Sequence, residues 1–103
     1  MSMQKMMKEM QKMQKQMKKL QEELAETPVT GTSGGGACSV TVNGNNEVLS
    51  VELDPEVVDP EDIEMLQDLI AAAVNDAIRT AAALSEEKMG ALTKGMKVPG
   101  GLF

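Results

Sequence analysis

Cys38-Ser39-Val40-Thr41-Val42-Asn43-Gly44-Asn45-Asn46-Glu47-Val48-Leu49-Ser50-Val51-Glu52-Leu53 reads as a strand, a turn and a return strand. Cys38, Val40 and Val42 alternate with Ser39, Thr41 and Asn43, so residues 37–43 form a half-buried strand. Asn43-Gly44-Asn45-Asn46 supplies residues that tolerate positive φ and therefore a hairpin turn. Leu49, Val51 and Leu53 then alternate with Val48, Ser50 and Glu52 until Asp54-Pro55 closes the strand. Upstream, Val29 to Thr32 is a short edge strand. A sheet with one apolar face requires a covering layer, so its flanks decide the fold class.

Downstream, Asp59-Pro60-Glu61-Asp62 predicts a helix start: Asp59 as cap, Pro60 in the first turn, and acids at the positive end of the dipole. Ile63, Leu66, Ile70, Ala73, Ala77, Thr80 and Leu84 form a heptad-like row, and the helix is expected to run to about Met89, with Gly90 as its terminator. The alanines allow another backbone to approach closely. The tail, residues 91–103, is rich in Gly and Pro and is expected to be loosely ordered.

Upstream, Met3, Met6, Met10, Met13, Met17, Leu20 and Leu24 recur at alternating steps of three and four, which is a/d spacing on a helix from about Ser2 to Ala25. Lys5, Lys8, Lys12, Lys15, Lys18 and Lys19 fall at b, c and f positions, away from that seam. Thr27-Pro28 ends this helix. The expectation is an α+β fold: a long N-terminal helix, a small three-stranded antiparallel sheet and a long second helix. Residues 1–25 are a projecting arm and residues 27–90 a body, within a single domain of 103 residues.

The charge is divided in the same way. Residues 1–21 hold six lysines and one acid, whereas the rest of the chain holds four basic and fifteen acidic side chains. A local field follows the local cluster rather than the total of −6. The arm lysines therefore read either as a solvated face or as an anion-binding stripe. The one aromatic residue is Phe103, so the core is aliphatic, and a long helix with an uncovered stripe points to association with a second copy.

Other chemistries find little support. Gly31-Thr32-Ser33-Gly34-Gly35-Gly36 has the glycine spacing of a phosphate loop, but Ala37 and Cys38 stand where Lys and Ser/Thr are required, and a strand follows; it reads as a flexible connector. Cys38 lies on the apolar side of its strand and reads as a small buried hydrophobe that fits a reducing compartment. The methionine stripe could offer soft ligands to Cu(I), but no histidine or second cysteine reinforces it. The absence of histidine removes the usual general base, and the carboxylates near Pro55 and Pro60 are explained as turn and cap residues, so no enzyme and no cofactor are expected. Asn75-Asp76, inside the second helix, is expected to hydrogen-bond across a dimer or to a strand end. No segment reaches the apolar length of a membrane span and no secretory signal is visible, so the expected location is the cytoplasm, with no membrane or small-molecule partner.

The order of elements, with particular residues in them, resembles the YbaB/EbfC family of bacterial nucleoid-associated proteins. The carrying segments are the Met/Gln/Lys-rich helix ending in Leu20-Gln21-Glu22-Glu23-Leu24, Val29-Thr30-Gly31, Ser33-Gly34-Gly35-Gly36 and Val40-Thr41-Val42-Asn43-Gly44. They continue through Val51-Glu52-Leu53-Asp54-Pro55, the run from Leu69 to Ala77, and Met96-Lys97-Val98-Pro99-Gly100. The resemblance spans essentially the whole chain. It implies a tweezer-like homodimer in which sheets and second helices pair and first helices project. It also implies binding of double-stranded DNA with little sequence preference, a nucleoid location and a role in nucleoid organisation and gene expression. We carry over only the six arm lysines as DNA contacts, with Lys94 and Lys97 as weaker candidates; Leu66, Ile70, Ala73 and Ala77, from the apolar row of the second helix, are the expected dimerisation positions. The competing reading is a protein-interaction adaptor whose Met-lined helix grips a partner helix.

Overall fold

The computed structural model describes residues 2–94. Helix α1 spans Met3–Glu26, followed by strands β1 (Val29–Ser33), β2 (Cys38–Val42) and β3 (Val48–Leu53), and helix α2 (Ile63–Lys94). The α+β class and the element order agree with the sequence reading. Ser2 caps α1, its Oγ accepting from the Lys5 backbone N–H at 3.4 Å.

The three strands form an antiparallel sheet in the order β1-β2-β3. Val40 stands opposite Gly31 on one side and Val51 on the other, so one face collects Val29, Gly31, Cys38, Val40, Val42 and Leu53. The other face is almost entirely hydroxylated, with Thr30, Thr32, Ser39, Thr41 and Ser50, and the Thr30 and Thr41 Oγ1 atoms lie 3.0 Å apart. Helix α2 covers the apolar face over β1 and β2. Ala73, Ala77 and Ala81 are buried against Val29, Cys38, Val40 and Val42, and Leu69, Ile70, Val74 and Leu84 close the margins.

The contact between helix and sheet is made at backbone distance. A Cβ built on Gly31 would lie 2.6 Å from the Ala73 carbonyl oxygen and closer still to the Ala77 backbone nitrogen. Only glycine fits there, and only alanines on the facing turns let α2 come so near. Two hydrogen bonds tie the helix to the strand along the same line: the Thr32 N–H donates to Asp76 Oδ2 at 2.9 Å and Ser33 Oγ donates to the Leu69 carbonyl at 2.6 Å. Asp76 therefore serves a strand end, one of its two expected roles, and satisfies an N–H on an edge strand.

Four details depart from the sequence reading. The glycine run is an ordered tight turn, not a loose connector: Gly34–Gly36 form a single 3₁₀ turn in which all three residues have positive φ. Strand β3 does not alternate strictly. Thr41 pairs with Ser50 but Val42 pairs with Val48, so Leu49 is the extra residue of a bulge and Val48 moves to the apolar register. The cap of α2 is Asp62, which accepts from the Met65 N–H at 3.2 Å; Asp59 instead accepts from the Glu61 N–H at 2.9 Å in a turn that Pro60 leads. Finally, Gly90 does not end α2, which continues to Lys94. A glycine inside a helix costs about 1 kcal/mol, and the helix carries that cost as it runs on beside α1, where Ala91 and Leu92 line a shallow groove with Gln16 and Leu20. Residues 91–94 thus belong to the helix, and the rest of the expected tail lies outside the described residues.

Gly31→Ala is expected to lower stability by about 1–3 kcal/mol through overpacking against the α2 backbone. A urea titration followed by circular dichroism checks this; an unchanged midpoint would contradict the backbone-distance contact.

Candidate nucleic-acid interface

The chain is far from spherical. Its Cα radius of gyration is 19.8 Å, against about 13 Å for a compact chain of 100 residues, and its longest extent is 70 Å. The excess length is α1. The seam along this helix changes character from end to end: Leu24 is buried, Leu20 and Met17 are half-buried, and Met13, Met10, Met7, Met6 and Met3 are exposed, Met3 by 80%. The lower part of the seam lies beside the C-terminal part of α2, where Met17, Leu20 and Leu24 line one cavity with Ser85 and Met89. Beyond that contact the helix projects.

The arm is anchored at its base by the β2–β3 turn. The Leu24 carbonyl accepts from the Gly44 N–H at 2.8 Å and from the Thr27 N–H at 3.2 Å, and Thr27 Oγ1 donates to the Glu23 carbonyl at 2.6 Å. These bonds satisfy carbonyls that a helix C-terminus otherwise leaves open. A Cβ on Gly44 would come within 2.6 Å of the Leu24 carbonyl carbon. The turn is itself held by Asn43, which is 8% exposed: its Oδ1 accepts from the Asn45 and Glu47 N–H groups at 2.9 and 3.1 Å, and its Nδ2 donates to Glu47 Oε1 at 3.1 Å. The sequence predicts a turn here from residues that tolerate positive φ, without saying which one adopts it. In fact Asn46 takes the left-handed conformation, with φ 60°, and Gly44 is required by the helix end that lies on it. No local pattern signals this, because the contact joins residues twenty positions apart.

All six arm lysines are exposed. Lys5, Lys8, Lys12, Lys15 and Lys19 follow steps of three and four along one side of α1, opposite the methionine seam, with Lys18 beside them. The ion pair found among the described residues is elsewhere, between Arg79 Nη2 and Asp76 Oδ1 at 3.9 Å, so the arm lysines keep their charge unneutralised by the protein. No acid occupies the first turn of α1, and the positive end of the helix dipole adds to the lysines at the free tip. The body offers no comparable field: no Lys or Arg stands between Lys19 and Arg79. Of the weaker candidates, Lys94 is the last residue of α2 and Lys97 lies outside the described residues. No described group of His, Cys, Asp or Glu could hold a metal ion, and Cys38 is fully buried.

The four dimerisation positions divide. Ala73 and Ala77 have no exposed surface in a single chain, because β1 already covers them. They are corrected here to intrachain packing positions: the close backbone approach expected of the alanines is made to Gly31 rather than to a partner. Leu66 and Ile70 are half-buried on the same helix, nearer its start. Strand β3 carries bare apolar surface, Leu49 being 56% and Val51 46% exposed. Helix α2 lies over β1 and β2 and does not reach across the third strand.

Comparison with known proteins adds what geometry cannot. The sequence profile of the YbaB/EbfC DNA-binding family matches residues 1–96. A nucleoid-associated protein of Bacillus cytotoxicus is 60% identical over 102 residues, covering 99% of this chain and 94% of the relative. A nucleoid-associated protein of a Geobacillus species is 63% identical over 99 residues, covering 96% and 92%. Among solved structures, an uncharacterised protein from Helicobacter pylori superposes with a TM-score of 0.69 at 29% identity, over 93% of this chain and 97% of that one.

Gly44→Val is expected to free the base of the arm without dissolving the body. Amide hydrogen exchange should quicken about tenfold in residues 17–26, the equivalent of one lost hydrogen bond with its packing, while β1 and β2 keep their protection. Equal loss in both regions would show that the turn supports the whole fold and not the arm in particular.

Proposed function

The chain belongs to the YbaB/EbfC DNA-binding family, and on that premise we propose that it acts as a homodimer that binds duplex DNA through the phosphate backbone. In this reading it works in the cytoplasm at the nucleoid, shapes the DNA and so influences gene expression, with no catalytic step. The observation that carries the proposal is the lysine stripe of α1: exposed, free of ion pairs with the described residues and set on a projecting helix. Lysines that replace condensed counterions on a duplex gain affinity that is independent of sequence. No arginine stands in the arm to read guanine, and no aromatic to stack on unpaired bases, which favours contacts to the backbone of a duplex. The acidic body repels DNA and confines it to the arm.

Dimerisation is supported by the uncovered apolar strip on β3, where Val48, Leu49 and Val51 are exposed. A second copy is the simplest cover for this strip, because a small aliphatic core gains from doubling. Pairing two bodies also sets two cationic arms on one particle, which raises avidity without any new contact.

Two outcomes follow. Replacing Lys8, Lys12 and Lys15 with Gln should weaken binding to all duplex sequences alike and reduce the slope of log affinity against log salt by about 3 for each arm engaged, hence about 5 for a dimer that uses both, at roughly 0.9 per lost phosphate contact. Fluorescence anisotropy from low to physiological salt measures both, and unchanged affinity in an intact dimer would sink the arm as the DNA contact. Val51→Asp should shift the protein from two chains to one in analytical ultracentrifugation while leaving its far-ultraviolet circular dichroism in place. Persistence of the dimer would move the interface away from β3.

A further inference from the structure

The lysines of α1 bind the arm to DNA in the reading above, but they leave its other side unexplained. Met3, Met6, Met10 and Met13 continue, on the same helix face, the seam whose Met17, Leu20 and Leu24 lie beside α2. The upper part is bare. With Met3 and Met10 at a and Met6 and Met13 at d, the flanking e and g positions hold Met7, Gln14 and Gln21 on one side and Ser2, Glu9 and Gln16 on the other. None of the six lysines stands at a flank.

That exclusion identifies the occupant. An acidic partner helix would be attracted by lysines beside the seam, which is where such pairs usually form. Flanks without cations suit a partner that is itself cationic, because its lysines and those of α1 then point away from each other. The partner of that description at hand is a second copy of α1. We infer that the Met3–Met13 seams of two arms pair as a short two-stranded coiled coil that joins one dimer to another.

The proposed dimer strip on β3 begins at the base of the arm, because Val48 follows the turn whose Gly44 N–H bonds to the Leu24 carbonyl. From Leu24 the seam runs outward along α1, Met13 lying about 17 Å of helix away and Met3 about 32 Å. Dimerisation through β3 therefore leaves the outer seam beyond the strip. Methionine suits the contact because its flexible thioether fills irregular gaps without demanding one geometry. Two heptads alone make a weak pair, so the contact becomes populated where arms are concentrated along a duplex. Once paired, the arms form a rod with a lysine stripe on each outer side. Such a rod holds one duplex on either flank and bridges them; this consequence, though not the pairing itself, rests on the DNA-binding reading.

The test uses the full-length chain with cysteine placed on α1, Cys38 being buried and out of reach. Met10→Cys, on the seam, should form an interchain disulfide under mild oxidation, with and without duplex present, whereas Gln11→Cys, off the seam, should not. Sizing should then give four chains for oxidised Met10→Cys and two for wild type. Met6→Lys with Met10→Lys should retain or tighten binding to one duplex, since charge is added, but lose the capture of a second, labelled duplex by a tethered one. The pairing is overturned if Met10→Cys links no better than Gln11→Cys, if the linked species contains only the two chains of one dimer, or if the double lysine variant still bridges. A disulfide within one chain in Met10→Cys/Val98→Cys, in place of the interchain link, would also overturn it, since the chain's own C-terminal residues would then occupy the seam. Failure of wild type to bind any duplex would count against the DNA reading alone, and one chain before oxidation with two after would count against the β3 dimer alone.

Discussion

Helix α2 rests on β1 backbone against backbone, because Gly31 has no side chain and Ala73 and Ala77 have almost none. Most of the architecture depends on that contact. It seats the helix over β1 and β2 and leaves β3 without a cover, so the apolar strip from Val48 to Val51 faces outward. It also sets the direction in which α2 leaves the sheet. Past Ala81 the helix runs beyond the strands, and there Ser85, Met89 and Leu92 find the base of α1. A larger side chain at any of the three positions would lift α2 and disturb both the dimer strip and the arm.

The arm is a helix that its own chain covers along only part of its length. An isolated helix of this composition would fray, particularly with cations and no acid at its N-terminus. Its order comes from the base, where Leu24 is buried, its carbonyl is bonded to the Gly44 N–H, and Asn43 stiffens the turn beneath. Function and stability are thus drawn from opposite ends of one element. The base supplies position. The free part supplies charge on one side and methionine on the other, and the acidic body keeps a polyanion from settling anywhere else.

Much of this was legible in the chain. Period-two alternation found β2 and the existence of β3, β1 was read as a short edge segment, and the a/d spacing found α1 to within a residue, because binary patterns report burial directly. The errors were local decisions overruled by tertiary contacts. Pro60 suggested a helix start, but Asp59 was engaged in a turn and Asp62 became the cap. Gly90 suggested a stop, but α2 continues through it to Lys94, along the side of α1. The bulge at Leu49 was invisible, since alternation assumes a regular ladder.

By itself the sequence determined the α+β class, the order of the elements and the cationic arm with its two unlike sides. These properties are local, arising from residue spacing along a single helix or strand. The tertiary structure alone decided that Ala73 and Ala77 face the chain's own sheet instead of a partner, that Asp76 serves the edge of β1, and that Gly44 carries the base of the arm. Each of these joins residues at least twenty positions apart, and a small residue looks the same in sequence whichever backbone it is there to admit. Burial patterns can be read from one element at a time, but the partner of a close approach is known only when both elements are in place.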